Sequence, residues 1–274
     1  MTTAQKVIKY CAIAFAVFLI VSIVAAVTGA VAGVSYWFGD RKGEASGKMQ
    51  TYQTYNVEEK TTALDIDIGA AELTVATGDS LSVESDSKDV TVRTENGTLI
   101  IQEESRWHFF GSRHAAVRLT LPKDAEFVSV KLETGAGRVS VDTLTADDIF
   151  LNLGAGEVRI GTLNAGKRVE IDSGAGQLTV GGGEMNDADI DLGVGQAVIT
   201  ARLTGKCKLE YGVGECRLNL IGTRDDYRIS LDRGPGSATL DGNSLADGAQ
   251  YGNGETEVEI DGGIGALTVR FIEQ

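Results

Sequence analysis

From about residue 128 onward, apolar and polar residues alternate with a period of two, broken at near-constant intervals by a G-x-G element. In LGAGEVRIGTLNAGKRVEIDSGAGQLTV, residues 153–180, two such elements stand 20 residues apart. The series begins at Gly135, Gly154, Gly174, Gly193, Gly212 and Gly234, in steps of 19, 20, 19, 19 and 22. Apolar pairs follow most elements, as in Val139/Val141, Val158/Ile160, Leu178/Val180, Ala197/Ile199, Cys216/Leu218 and Ala238/Leu240. Similar pairs precede them: Val130/Leu132, Ile149/Leu151, Val169/Ile171, Ala188/Ile190, Cys207/Leu209 and Ile229/Leu231. Alternation over this length predicts strands with one buried face. One repeat therefore reads strand, glycine corner, strand, connector. A unit of about 20 residues cannot bury its own apolar face, whereas stacked copies share a continuous core. The pattern predicts an all-β, single-stack β-solenoid, parallel β-helix-like, with rungs about 4.8 Å apart.

The corner positions are Gly135, Gly137, Gly154, Gly156, Gly174, Gly176, Gly193, Gly195, Gly212, Gly214, Gly234 and Gly236. Related elements are Gly69-Ala70-Ala71, Gly252-Asn253-Gly254 and Gly263-Ile264-Gly265. No strand–glycine loop–helix unit accompanies them and no P-loop Lys-Ser/Thr follows, so they read as corners and not as phosphate loops.

Residues 57–127 carry a different pattern. DIDI, LSVES, VTVRTENGTLIIQEE and AVRLTLP read as strands, with Asn96-Gly97 as a hairpin turn. This section is expected to start the solenoid in irregular rungs or meanders, before the regular rungs of 128–274. Residues 39–56 read as a linker. Residues 1–38 read as an N-terminal membrane anchor with one transmembrane helix, because residues 11–38 carry no charge and exceed the length that spans a bilayer. Tyr36, Trp37 and Phe38 stand where an interfacial aromatic belt would lie. The rival reading is a signal peptide cleaved after Ala30-Val31-Ala32. Gly29 and Gly33 have the spacing that lets anchor helices pack closely.

The strand-rich opening, the strand ending Leu121-Pro122-Lys123, the repeated x-G-x-G-x-[VIL]-x-[VIL] rungs and the closing GALTVRF (Gly265–Phe271) together resemble the bacterial β-strand-repeat family called putative adhesins. The resemblance covers residues 57–274. It implies a single-span or exported protein of Gram-positive bacteria, in a family some of whose members are encoded beside cell-envelope stress-response systems.

Charge narrows the range of partners. The net charge is −14, with +3 on residues 1–48 and −17 on the rest. A body this acidic repels nucleic acid and anionic headgroups. Its acidic, Thr-rich and Gly-rich character fits an exported body on a single-pass cell-membrane protein.

Two residues before each first glycine runs an acidic file: Asp67, Glu133, Asn152, Asp172, Asp191, Glu210, Asp232, Asp261. One reading is local bracing, in which each Asp accepts a corner N–H and solvent screens the remainder. The other is a calcium-type cation held between rungs by Asp172, Asp191, Glu210 and Asp232. Asp187, Asp189 and Asp191 alternate along one predicted strand and read as a solvated face.

The segment RWHFFGSRH, residues 106–114, reads either as a plug over one end of the solenoid or as an exposed patch. In the second reading Trp107, His108, Phe109 and Phe110 bind a partner. Cys207 and Cys216 fall on inward positions and read as buried free thiols. Paired carboxylates in a groove lined by stacking rings do not emerge from the pattern, so no catalytic residue and no cofactor is assigned. The expected function is non-enzymatic: an envelope surface protein, adhesin-like or stress-associated, binding an envelope polymer or a protein. The alternatives are a self-associating scaffold or filament former and an extracellular polysaccharide-active enzyme.

Overall fold

The computed structural model describes residues 52–55, 57, 60–104 and 115–273. The regular rungs lie in β8 (Phe127–Val180), β9 (Glu184–Asn186), β10 (Ala188–Thr204) and β11 (Lys206–Ile221). β8 runs for 54 residues because its corners remain extended and stay in the ladder. β10 lies parallel on β8 with Ile190 over Ile171, Gly195 over Gly176 and Ile199 over Val180. β11 repeats this on β10, with Leu209 over Ile190, Gly214 over Gly195 and Leu218 over Ile199. Corner thus stacks on corner and inward pair on inward pair. A slip of one residue would turn every apolar side chain outward, so the core holds the register.

The stretch expected to be a connector is a third strand segment. Leu144/Ala146, Leu163/Ala165, Met185 and Ala201/Leu203 are all buried. Leu203 pairs with Met185, and Met185 with Ala165. Each full rung therefore closes its core on three sides. Outward polar groups of this third side also bond between rungs: Asn164 Nδ2 donates to Thr145 Oγ1 at 3.3 Å, and the Glu184 N–H to Asn164 Oδ1 at 3.1 Å.

The corners depend on glycine for two separable reasons. Gly176 has φ +137°, outside the range of ordinary L-residues, and a Cβ on it would fall on the carbonyl oxygen of Gly156 in the rung below. Its neighbour Gly174 has no such dihedral, but a Cβ there would strike the Gly154 carbonyl. Close stacking demands the first glycine of a corner, and stacking together with strain demands the second.

At both ends the stack departs from chain order. β2 (Ala63–Ile68) and β3 (Ala71–Gly78) form the first rung. They sit between β8 on one side and β6 (Thr98–Glu103) and β7 (Ala115–Pro122) on the other, all parallel. Antiparallel strands cover the outer edge. β5 (Val90–Glu95) lies on β6, β4 (Ser82–Ser85) on β7, and β1 (Gln53–Tyr55) on β4. The β5–β6 hairpin turns at Asn96 (φ 50°) and Gly97 (φ 78°), the geometry of a tight Asn-Gly hairpin.

The other end mirrors this arrangement. The last rung, β16 (Thr256–Ile272), lies between β11 and the pair β12 (Tyr227–Asp232) and β13 (Gly236–Leu240). The short strands β14 (Asn243–Ser244) and β15 (Gln250–Tyr251) cover β13 and β12 in antiparallel fashion. The link from β11 to β12 carries a 3-10 turn, Arg224–Asp226, and the chain entering β16 passes against it. Gly252-Asn253-Gly254 is therefore not a rung corner, contrary to its pattern. A Cβ on Gly254 would fall on the backbone of Asp226 and Tyr227, so glycine is needed for a crossing.

Candidate functional site

The outward positions on either side of the glycine corners form columns that run along the stack. The acidic file is one of them, and its spatial order differs from its chain order. Asp191 lies between Asp172 and Glu210, but the neighbour of Glu210 is Asp261, and Asp232 lies beyond it. The sequence places Asp232 next to Glu210; the inserted β16 separates them. Of the four residues named for a cation, Asp172, Asp191 and Glu210 are contiguous and Asp232 is not. Among the described residues, no three His, Cys, Asp or Glu side chains converge as metal ligands would.

Corner bracing by the file is also absent at these positions. Among the described residues Asp172, Asp191, Glu210 and Asp232 accept no corner N–H, because corner backbone bonds instead to corner backbone. The Gly265 N–H, for example, reaches the Pro235 carbonyl at 3.1 Å. Among the described residues, side-chain capping of the corner N–H groups is found where the column of glycine corners stops. There Glu103 accepts the N–H groups of Gly69 and Ala70, at 2.7 and 3.0 Å. Asp187 leaves the expected solvated face: its φ is 44°, and its carboxylate accepts the Lys206 N–H at 2.8 Å.

Neighbouring basic residues neutralise the file unevenly. Lys131 pairs with Glu133 at 2.8 Å and Arg168 with Glu170 at 2.9 Å. Lys208 pairs with Glu210 and lies 3.6 Å from Asp261. Asp172, Asp189 and Asp191 have no ion pair among the described residues. Burial, followed by the charges of Glu210, Asp172 and Asp189, raises the Asp191 carboxyl above its usual range. The centre of this face thus carries a net negative field, which Lys208, beside Asp189, offsets only in part. Beyond the corner, the next column is laddered and closer to neutral. Arg138 bonds Glu157 at 3.1 Å, Gln177 bonds Gln196 at 3.3 Å, and Arg217 reaches Glu215 at 2.6 Å.

Between these columns, the middle residues of the corners form a ridge that the sequence reading passed over. In spatial order they are Ala70, Ala136, Ala155, Ala175, Val194, Val213, Ile264 and Pro235, growing bulkier toward the C-terminal end. Val213 and Ile264 are 40% and 54% exposed. Reading the G-x-G elements for their x would have found it.

Cys207 and Cys216 are buried free thiols, and burial pushes them up to about 11 and about 12. Burial thus disfavours the thiolate form of both. The patch residues Trp107, His108, Phe109 and Phe110 lie outside the described residues, as does the anchor of residues 1–38. Among the described residues, no helix is long and apolar enough to cross a membrane.

The sequence profile of the family described as Toastrack DUF4097 matches residues 56–260. No curated protein is detectably similar in sequence. Among solved structures, the chain is similar to a putative cell adhesion protein from Clostridium sporogenes, at 17% identity and a TM-score of 0.37, covering 81% of this chain and 99% of that one. It is also similar to a putative adhesin from Bacteroides fragilis, at 12% identity and a TM-score of 0.38, covering 80% and 96%. A putative lipid binding protein from Parabacteroides distasonis aligns at 14% identity and a TM-score of 0.30, covering 80% and 96%.

Proposed function

The chain belongs to the Toastrack DUF4097 family, and from that premise we propose that it is a non-enzymatic, adhesin-like binding protein of the cell envelope. The observation that carries this reading is the pair of outward columns on either side of the corner. One is acidic and without ion pairs at Asp172 and Asp191, and the other is laddered and nearly neutral. Rungs in strict register hold both columns rigid, so a long partner meets the same chemistry at each step and gains affinity by repetition. Such a face suits an extended envelope polymer or protein bearing basic groups. It disfavours nucleic acid and anionic lipid, in keeping with the net charge of −14.

In this reading the uncharged run of residues 11–38 anchors the body to the cell membrane, with the body outside the cytoplasm. Antiparallel strands over both outer edges speak against the rival reading, a filament of solenoids stacked end to end. The test is protease protection in intact cells with a tag after Gln274, followed by co-sedimentation of the protein with purified envelope. Digestion from outside and salt-sensitive co-sedimentation support the reading. A body protected until lysis, or co-sedimentation unchanged in Asp172→Asn/Asp191→Asn, overturns it.

A further inference from the structure

The N-terminal end of the solenoid carries a hollow on its outer face. Its volume is about 110 Å³, and Tyr52, Glu72, Thr74, Ala116, Val117 and Arg118 line it. Three strands bring these residues together. In the parallel β3–β7 pair, Glu72 stands beside Ala116 and Thr74 beside Arg118. Tyr52, immediately before β1, arrives over β4, which pairs with β7. Ala116 is the short side chain in this arrangement, and its size opens the space between the tyrosine and the two charged residues.

Two features mark this hollow. Six other arginines, Arg93, Arg138, Arg159, Arg168, Arg217 and Arg228, each pair with a glutamate. Among the described residues, Arg118 and Glu72 have no hydrogen-bond or ion-pair partner, so a forked donor and a forked acceptor remain unused across a small gap. Among the described residues, Tyr52 is also the only aromatic of the exposed large hydrophobic side chains, at 37% exposure. Its ring comes from 20 residues before Glu72 in the chain, so no local pattern joins the two.

We propose that this hollow binds an uncharged saccharide residue. An aromatic face beside a few convergent polar groups is the usual make-up of a small-ligand site. Arg118, Glu72 and the Thr74 hydroxyl offer donors and acceptors in alternation, which matches a ring of hydroxyls. A single arginine beside Glu72, with Glu84 opposite it on β4, leaves no net positive charge to hold an anionic polymer. The site lies beyond the corner from the acidic file, so either can fail while the other stands.

The test is calorimetric titration of the full chain in detergent with two probes, the tetrasaccharides of N-acetylglucosamine and of glucose. Wild type is expected to bind at least one of them with Kd near ~1 mM, the weak end of specific affinity. Tyr52→Ala, Arg118→Ala and Glu72→Gln each raise Kd by about tenfold. Ala116→Leu fills the hollow and abolishes binding, with a melting temperature close to wild type confirming the fold. No binding of either probe overturns the proposal. Binding that survives Ala116→Leu in a folded variant also overturns it, while leaving a saccharide partner for the acidic face open.

Discussion

The middle of the solenoid and its two ends solve the same problem by different means. Between residues 128 and 221, rungs stack in chain order, and the corners from Gly154 to Gly214 rest glycine on glycine. At the ends, the first and last rungs are inserted one layer in, and the edge passes to a neighbouring rung with antiparallel cover. The comparison separates two kinds of stability. Repetition suffices where every strand has a neighbour above and below. At a boundary, side chains and crossings must take over: Glu103 on the N–H groups of Gly69 and Ala70, Asp226 on Thr223, and Tyr227 stacked on Phe271 at 5.8 Å. Even the glycines change task, from rung corners to the crossing at Gly254.

Substitutions at matched positions test this contrast. Gly176→Val has the largest expected effect: the strained φ and the Gly156 carbonyl together cost about 3 kcal/mol or more, and the whole body should lose its cooperative melt. A soluble, fully stable valine variant would show that the corner does not need glycine. Gly254→Val should instead damage one end. Hydrogen exchange is expected to accelerate over 227–272 and remain slow over 128–204; uniform acceleration would merge end and middle into one unit. Glu103→Ala strands two backbone donors and should lower stability by about 1–2 kcal/mol, read from the urea midpoint.

The smallest effect belongs to the acidic face. The folded pKa of Asp191 is raised, so above the ordinary carboxylate range the folded state holds this proton more often than the unfolded chain does. Stability then falls as pH rises through that window, and Asp191→Asn should stabilise slightly at about pH 7 but not at about pH 3. Exposure to solvent keeps the gain small. An asparagine variant that is less stable at neutral pH would mean that the carboxylate has a favourable partner.

The rungs were legible because an inward pair and a glycine corner recur within each 19–22 residues, and both are local signals. Leu144/Ala146 escaped notice as a third strand because the segment is short and no glycine marks it. The inserted rungs had no local signature. β16 has the same alternation as any other rung, and its position is decided by which edges remain open. Gly252-Asn253-Gly254 misled because a crossing and a corner both demand a missing Cβ. The acidic file was visible as a column, but its order and its lack of bracing follow from long-range pairing. The hollow at Tyr52 was out of reach for the same reason: its aromatic and its charges meet only across β1, β4, β7 and β3.

The inserted end rungs bear on how such a protein can change its length over evolutionary time. Appending a repeat after residue 272 would add chain beyond a rung that is already enclosed on both sides by β11 and β12. A repeat added before residue 63 would meet a first rung enclosed by β6 and β8. Duplication is accommodated only between, where one G-x-G rung accepts another in the same register. Length in this architecture grows from the inside, and both termini keep their fittings while the number of rungs between them varies.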